Sequence, residues 1–141
     1  MSRYVLEPEV AGGLGGATVA NRLSHPPRVT ELEYRFDGWL GDELLESFPC
    51  FIVSARIADA LRQSKLSGFV LRSVRISCSA EFEKRKPRIV LPAFEWLDVV
   101  GTAGKADFGR DSKHRLVVSE AAKALLDHFQ LSHCLVGVWD A

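Results

Sequence analysis

The sequence predicts an α+β fold: a mixed, mostly antiparallel sheet with two amphipathic helices packed on it, each helix belonging to a strand-helix-strand unit. Three observations predict it. Leu116-Val117-Val118-Ser119 is followed by Ala122, Leu125, Leu126 and Phe129 at i, i+3, i+4 and i+7, then by Leu131-Ser132 and the apolar run Cys134-Leu135-Val136. The same order occurs earlier, where Phe51-Ile52-Val53 leads through Ser54 into a helix to about Gln63 with Ile57, Ala60 and Leu61 on one face. Finally, Glu31-Leu32-Glu33-Tyr34-Arg35-Phe36 alternates strictly, as a strand with one wet face does.

The elements follow in chain order. Tyr4-Val5-Leu6-Glu7 reads as a strand, and the glycines at 12, 13, 15 and 16 with His25-Pro26-Pro27 make residues 8–28 a long loop. After the alternating strand, Asp42-Glu43-Leu44-Leu45-Glu46 reads as a short helical turn capped by Asp42 and ended by Pro49. Ser54 caps the first amphipathic helix, Leu66-Ser67-Gly68 ends it, and a strand runs from Phe69 to about Ser77. Phe94 to Val100, apolar on both sides except at Glu95 and Asp98, reads as a central strand. A shift of 65 residues superposes Val53 on Val118, Ser54 on Ser119, Leu61 on Leu126, Leu66 on Leu131 and Ser67 on Ser132. Duplication and the shared demands of strand, cap and helix both account for these identities. Under either account residues 50–78 and 115–140 are similar units within a single globular domain spanning 1–141.

Composition narrows the function classes. The 141 residues carry 18 basic and 18 acidic side chains, so no basic surplus exists for a phosphate backbone, and nucleic acid is not an expected partner. No apolar run approaches the ~20 residues of a membrane helix, and Met1-Ser2-Arg3-Tyr4 lacks the apolar stretch of a secretion signal, so the expected location is cytoplasmic with no membrane partner. Cys50, Cys78 and Cys134 are odd in number and widely spaced, which fits reduced thiols.

No motif carries catalysis. Ser54 and Ser119 sit where a strand turns into a helix, but neither has the flanking glycines of a nucleophile elbow, and a helix cap explains both. His133 and Cys134 are neighbours in a strand and point to opposite faces, so they do not pair, and Cys134 reads as core filler. His25, His114, His128 and His133 show no metal-ligand spacing. Gly101-Thr102-Ala103-Gly104-Lys105 has glycines three apart and no hydroxyl after the lysine, so it is not a phosphate loop, and Asp107-Phe108-Gly109 matches a kinase triplet by chance. The expectation is no catalytic residue, no metal and no cofactor.

Charge distribution says more. Residues 31–46 hold six acids against Arg35, and residues 72–88 hold six bases, Arg72, Arg75, Lys84, Arg85, Lys86 and Arg88, against Glu81 and Glu83. Two readings follow: an ordinary solvated surface on which the segments face one another, or an acidic docking face steering toward a basic partner. The expected binding residues are Asp37, Trp39, Asp42, Glu43 and Glu46, with Lys105, Asp107, Phe108 and Arg110 as a second patch. Trp39 either anchors the partner or plugs the end of the sheet; as an anchor, its removal barely moves the melting temperature.

A strand ending in Val-Ser, a helix of the form x-x-x-x-A-L, and a Leu-Ser turn into a last strand resemble bacterial immunity proteins of polymorphic toxin systems, in an uncharacterised-domain group whose C-terminal unit reads like Leu116 to Trp139. The resemblance covers about the last 90 residues, from Phe48 onward. It implies an α+β, non-enzymatic, cytosolic protein that binds and occludes a cognate toxin, and it carries over no functional residue. The chain lacks the strong acidic excess of many such proteins. The expected function is therefore toxin-neutralising protein binding. Its rivals are a small enzyme or ligand binder with a pocket lined by His114, His133, Asp98 or Glu95, and a module that self-associates through a sheet edge.

Overall fold

The structure, a computed structural model, describes residues 2–85 and 88–140. Strands β1 (Arg3–Glu7), β2 (Gly12–Leu14), β3 (Val19–Asn21), β4 (Arg28–Glu31), β5 (Glu33–Phe36), β6 (Leu44–Ser47) and β7 (Cys50–Ser54) lead into α1 (Ala55–Gln63). Then come β8 (Phe69–Arg72), β9 (Arg75–Cys78) and α2 (Ala80–Glu83). The chain closes with β10 (Phe94–Val99), β11 (Phe108–Arg110), β12 (Leu116–Ser119), α3 (Glu120–Leu126) and β13 (Leu135–Val138).

All five residues of β7 are buried because alternate side chains enter two different cores. Phe51 and Val53 join Leu44, Leu97, Val99, the α1 residues Ile57, Ala58 and Leu61, and the α3 residues Ala122 and Leu126. Cys50 and Ile52 join Leu45, Phe94, Trp96, Tyr34, Phe36 and Phe82 on the opposite side. The sheet β6-β7-β10-β8 is thus covered on both faces. Each fully buried Leu, Ile or Phe there contributes about 1.5–3 kcal/mol.

The two strand-helix-strand units have the same topology. In one sheet β10 lies antiparallel between β7 and β8; in the other, ordered β11-β12-β1-β13, β1 lies antiparallel between β12 and β13. The α+β, mostly antiparallel prediction holds, with strands divided among four sheets and one parallel pair, β5 with β9, among the described residues. Both serine-capped helices form, with α1 burying Ala58 beside Ile57 and Leu61 rather than Ala60 and α3 ending at Leu126, short of Phe129, and β10 is central.

Several local expectations are corrected. The 8–28 loop contains β2 and β3, and the glycine run permits β2: a Cβ on Gly12 would lie 1.8 Å from the Arg35 carbonyl oxygen. Residues 44–47 form strand β6 rather than a helical turn, since consecutive Leu44 and Leu45 serve cores on opposite faces of a doubly covered sheet. The Phe69–Ser77 strand is two strands in different sheets, and Ser79 caps the unforeseen α2. The expectation that the acidic and basic segments face one another holds where β5 lies parallel to β9 with Glu33 opposite Arg75, although among the described residues no ion pair joins the two segments; Lys86 lies outside those residues. Among the described residues, no helix is long and apolar enough to cross a membrane.

Candidate functional site

A serine at a strand-to-helix junction offers its hydroxyl oxygen to a free amide of the first turn. Ser54 Oγ accepts from the Ile57 amide at 3.3 Å and donates to Glu43 Oε1 at 2.9 Å. Ser119 Oγ accepts from the Ala122 amide at 3.2 Å and donates to Asp107 Oδ1 at 2.7 Å. The amides of Ser54 and Ser119 also donate to the backbone carbonyls of Glu43 and Asp107, both at 2.8 Å. Each carboxylate then takes an amide from the turn after the other unit's helix: Gln130 donates to Glu43 Oε2 at 2.8 Å, and Ser67 donates to Asp107 Oδ2 at 2.9 Å. The units therefore clasp one another reciprocally.

Burial alone would raise the Glu43 carboxyl, but hydrogen bonds from Arg56, Gln130 and Ser54 outweigh it and hold its pKa below the usual range. Burial is likewise outweighed at Asp107, by Ser119 and Ser67. Beside this clasp, fully buried Asp42 accepts from the His133 amide at 2.8 Å, and His133 Nδ1 lies 3.0 Å from Asp42 Oδ1. Buried Glu9 accepts from the Leu40 and Asp42 amides at 2.7 and 3.3 Å. Ligand atoms of Glu9, Asp42 and His133 lie within 4.8 Å of one another, yet all four carboxylate oxygens already accept hydrogen bonds. The cluster works as a latch on the 37–42 turn.

Of the nine residues of the predicted patches three are buried, four half-buried and two exposed. Asp42 and Glu43 are buried, Glu46 is half-buried with its carboxyl pushed up by that burial, and Asp37 is exposed. Phe108 is fully buried, edge-on to Phe69 at 5.3 Å; Asp107 belongs to the clasp; Lys105 is exposed. Trp39 is half-buried, edge-on to Phe94, and its Nε1 donates to the Asp42 carbonyl at 2.9 Å. This half-burial fits a plug at the end of the sheet: Trp39→Ala is expected to lower stability by about 2 kcal/mol in urea unfolding, through lost packing and an unsatisfied carbonyl. A change under about 0.5 kcal/mol, the usual range for a surface substitution, would restore the anchor.

The residues of the rival pocket stand apart. Glu95 pairs with Arg62, Asp98 with Arg72, His114 packs edge-on against His25, and His133 binds Asp42. Burial pushes the Cys50 thiol up to about 12 and the Cys134 thiol to about 11, so both are poor nucleophiles.

One concavity escaped the sequence reading. A groove of about 810 Å³ lies between residues 30–32 and 72–75, lined by Glu31, Arg72, Arg75 and Trp96. At Arg72 and Trp96 it adjoins a cavity of about 270 Å³ lined also by Arg28, Asp98 and Arg110. Arg110 stacks over Phe51 at 5.1 Å and donates to the Pro49 carbonyl. Its Nη1 is buried with no hydrogen-bond partner. Arg28, Arg72 and Arg110 are far apart in sequence, so no local pattern foretells their meeting. No family model matches the chain, and no curated protein matches it.

Proposed function

We propose that the chain is a protein-binding module of the immunity type, which neutralises a partner by covering its active site without doing chemistry itself. The observation supporting this is the state of the candidate nucleophiles: Ser54 and Ser119 each hold a helix amide and a carboxylate, and among the described residues no imidazole hydrogen-bonds to either. His133 has an acid behind it, but among the described residues no hydroxyl or thiol bonds to its other ring nitrogen. The partner is a protein, and a cognate toxin is the most specific form of the proposal. Self-association is the second reading, favoured by the edge strand β13, where Leu135, Val136 and Val138 are all exposed and no charge or proline guards the edge. Co-expression with the product of the neighbouring gene, followed by size exclusion with light scattering, tests both. A stoichiometric hetero-complex supports the immunity reading; a homodimer alone supports the second; a monomer that captures only a metabolite overturns both.

A further inference from the structure

The strongest unassigned feature is the arginine-lined groove. It gathers Arg28, Arg72, Arg75 and Arg110 against two acids, Glu31 and Asp98, on a floor provided by Trp96. Of the two acids, Asp98 already binds Arg72 Nε at 2.8 Å. Among the lining side chains positives exceed negatives by two, while Glu33 opposite Arg75 and Glu46 near Arg110 act on the row from outside the lining. Arg28 and Arg75 are exposed and make no ion pair among the described residues. Arg110 is the inner end of this row, and a buried guanidinium N–H without an acceptor is a donor waiting for one.

We propose that this groove is the docking surface for an acidic, extended segment of a partner protein, with one carboxylate held at the Arg28-Arg72-Arg110 end and a second near Arg75. The inference rests on the protein-binding reading and specifies its partner: the complementary surface is acidic, opposite in sign to what the acidic run at 31–46 suggests, because Asp42 and Glu43 are consumed inside the fold. Guanidinium groups take carboxylates bidentately and are less strongly hydrated than ammonium groups, which suits a site made of arginines. A phosphate backbone shares this affinity, but it is a continuous line of charge. Glu31 and Asp98 interrupt the groove and repel such a line, whereas separated carboxylates on a peptide leave room for them.

The test titrates an extended hexapeptide carrying two glutamates separated by serines into the isotope-labelled full chain and follows the Trp96 indole and the backbone amides by NMR. The expected result is a saturable shift centred on Trp96, Arg28 and Arg75 that weakens steadily as salt is raised. The exposed substitutions Arg28→Glu and Arg75→Gln, the second a neutralisation because Arg75 stands opposite Glu33, should together weaken binding on the order of tenfold with an unchanged melting temperature. Shifts centred instead on Arg85 and Arg88, or none, overturn the assignment. So does a hexathymidylate oligonucleotide that binds the groove more tightly than the two-glutamate peptide. The co-expressed complex separates the two levels: a hetero-complex untouched by the double substitution removes the groove and leaves the protein-binding reading intact. Groove-centred peptide binding without any protein partner does the reverse.

Discussion

Glu43→Ala is expected to cost about 3 kcal/mol of folding free energy and to lower the melting temperature by about 10 °C. The exposed Arg56 guanidinium contributes little to that figure, since ion pairs open to solvent are weak. The larger part comes from what the substitution strands: the buried Ser54 hydroxyl loses its acceptor and the Gln130 amide loses its own, on opposite units. Asp107→Ala should do the same to Ser119 and Ser67. Calorimetry at neutral pH checks the magnitude, and a loss below about 0.5 kcal/mol would mean that the clasp is ornamental. The pH dependence gives the sign independently. Glu43 and Asp107 are held below their ordinary values of 4.5 and 3.8, so the folded chain binds fewer protons than the unfolded chain in acid. Their stabilisation is present above the unfolded values and disappears as the pH falls through the lower folded ones. In Glu43→Ala the acid limb of the stability profile should therefore be shallower than in the parent.

That clasp marks the boundary of what the sequence discloses. Both serines are legible as caps, because a hydroxyl before an amphipathic run has a local reason to be there. Their acids are not: Glu43 and Asp107 lie 11 and 12 residues upstream, and the amides completing each carboxylate come from 87 and 40 residues away. The same non-locality hides the latch of Glu9, Asp42 and His133, where Asp42 looks like a cap and in fact receives the His133 amide from the far unit. Strand β6 is hidden for a different reason. Two adjacent leucines fit a helix by periodicity, and only a sheet covered on both faces makes them equally good as a strand. The charge runs were legible as runs, but burial decides what a charge does, and burial is a property of the assembled layers.

Gly68→Ala is expected to be at least as damaging as loss of the clasp, about 3 kcal/mol or more, and to reduce the yield of folded protein. Gly68 has φ of +97°, and a Cβ there would lie 1.9 Å from the Phe108 carbonyl oxygen and 2.8 Å from Ala106 Cβ. Its carbonyl accepts from the Val100 and Gly101 amides at 2.9 and 3.0 Å, and Gly101 would itself drive a Cβ to 2.2 Å from the Phe108 oxygen. Gly68, together with Gly101 from the segment that imitates a phosphate loop, thus lets three backbone segments meet without side chains between them. Two companion substitutions divide the effect. Gly41→Ala keeps the positive φ, here +108°, but meets nothing within 4 Å, so it isolates the backbone strain of about 1 kcal/mol. Gly101→Ala has no positive φ and isolates the overlap. Urea unfolding should rank Gly68→Ala as most destabilising, Gly101→Ala next and Gly41→Ala least. Equal losses at 41 and 68 would mean that the junction yields to an added methyl, and the close approach of the two units through Phe108 would then be a consequence of the fold rather than a constraint upon it.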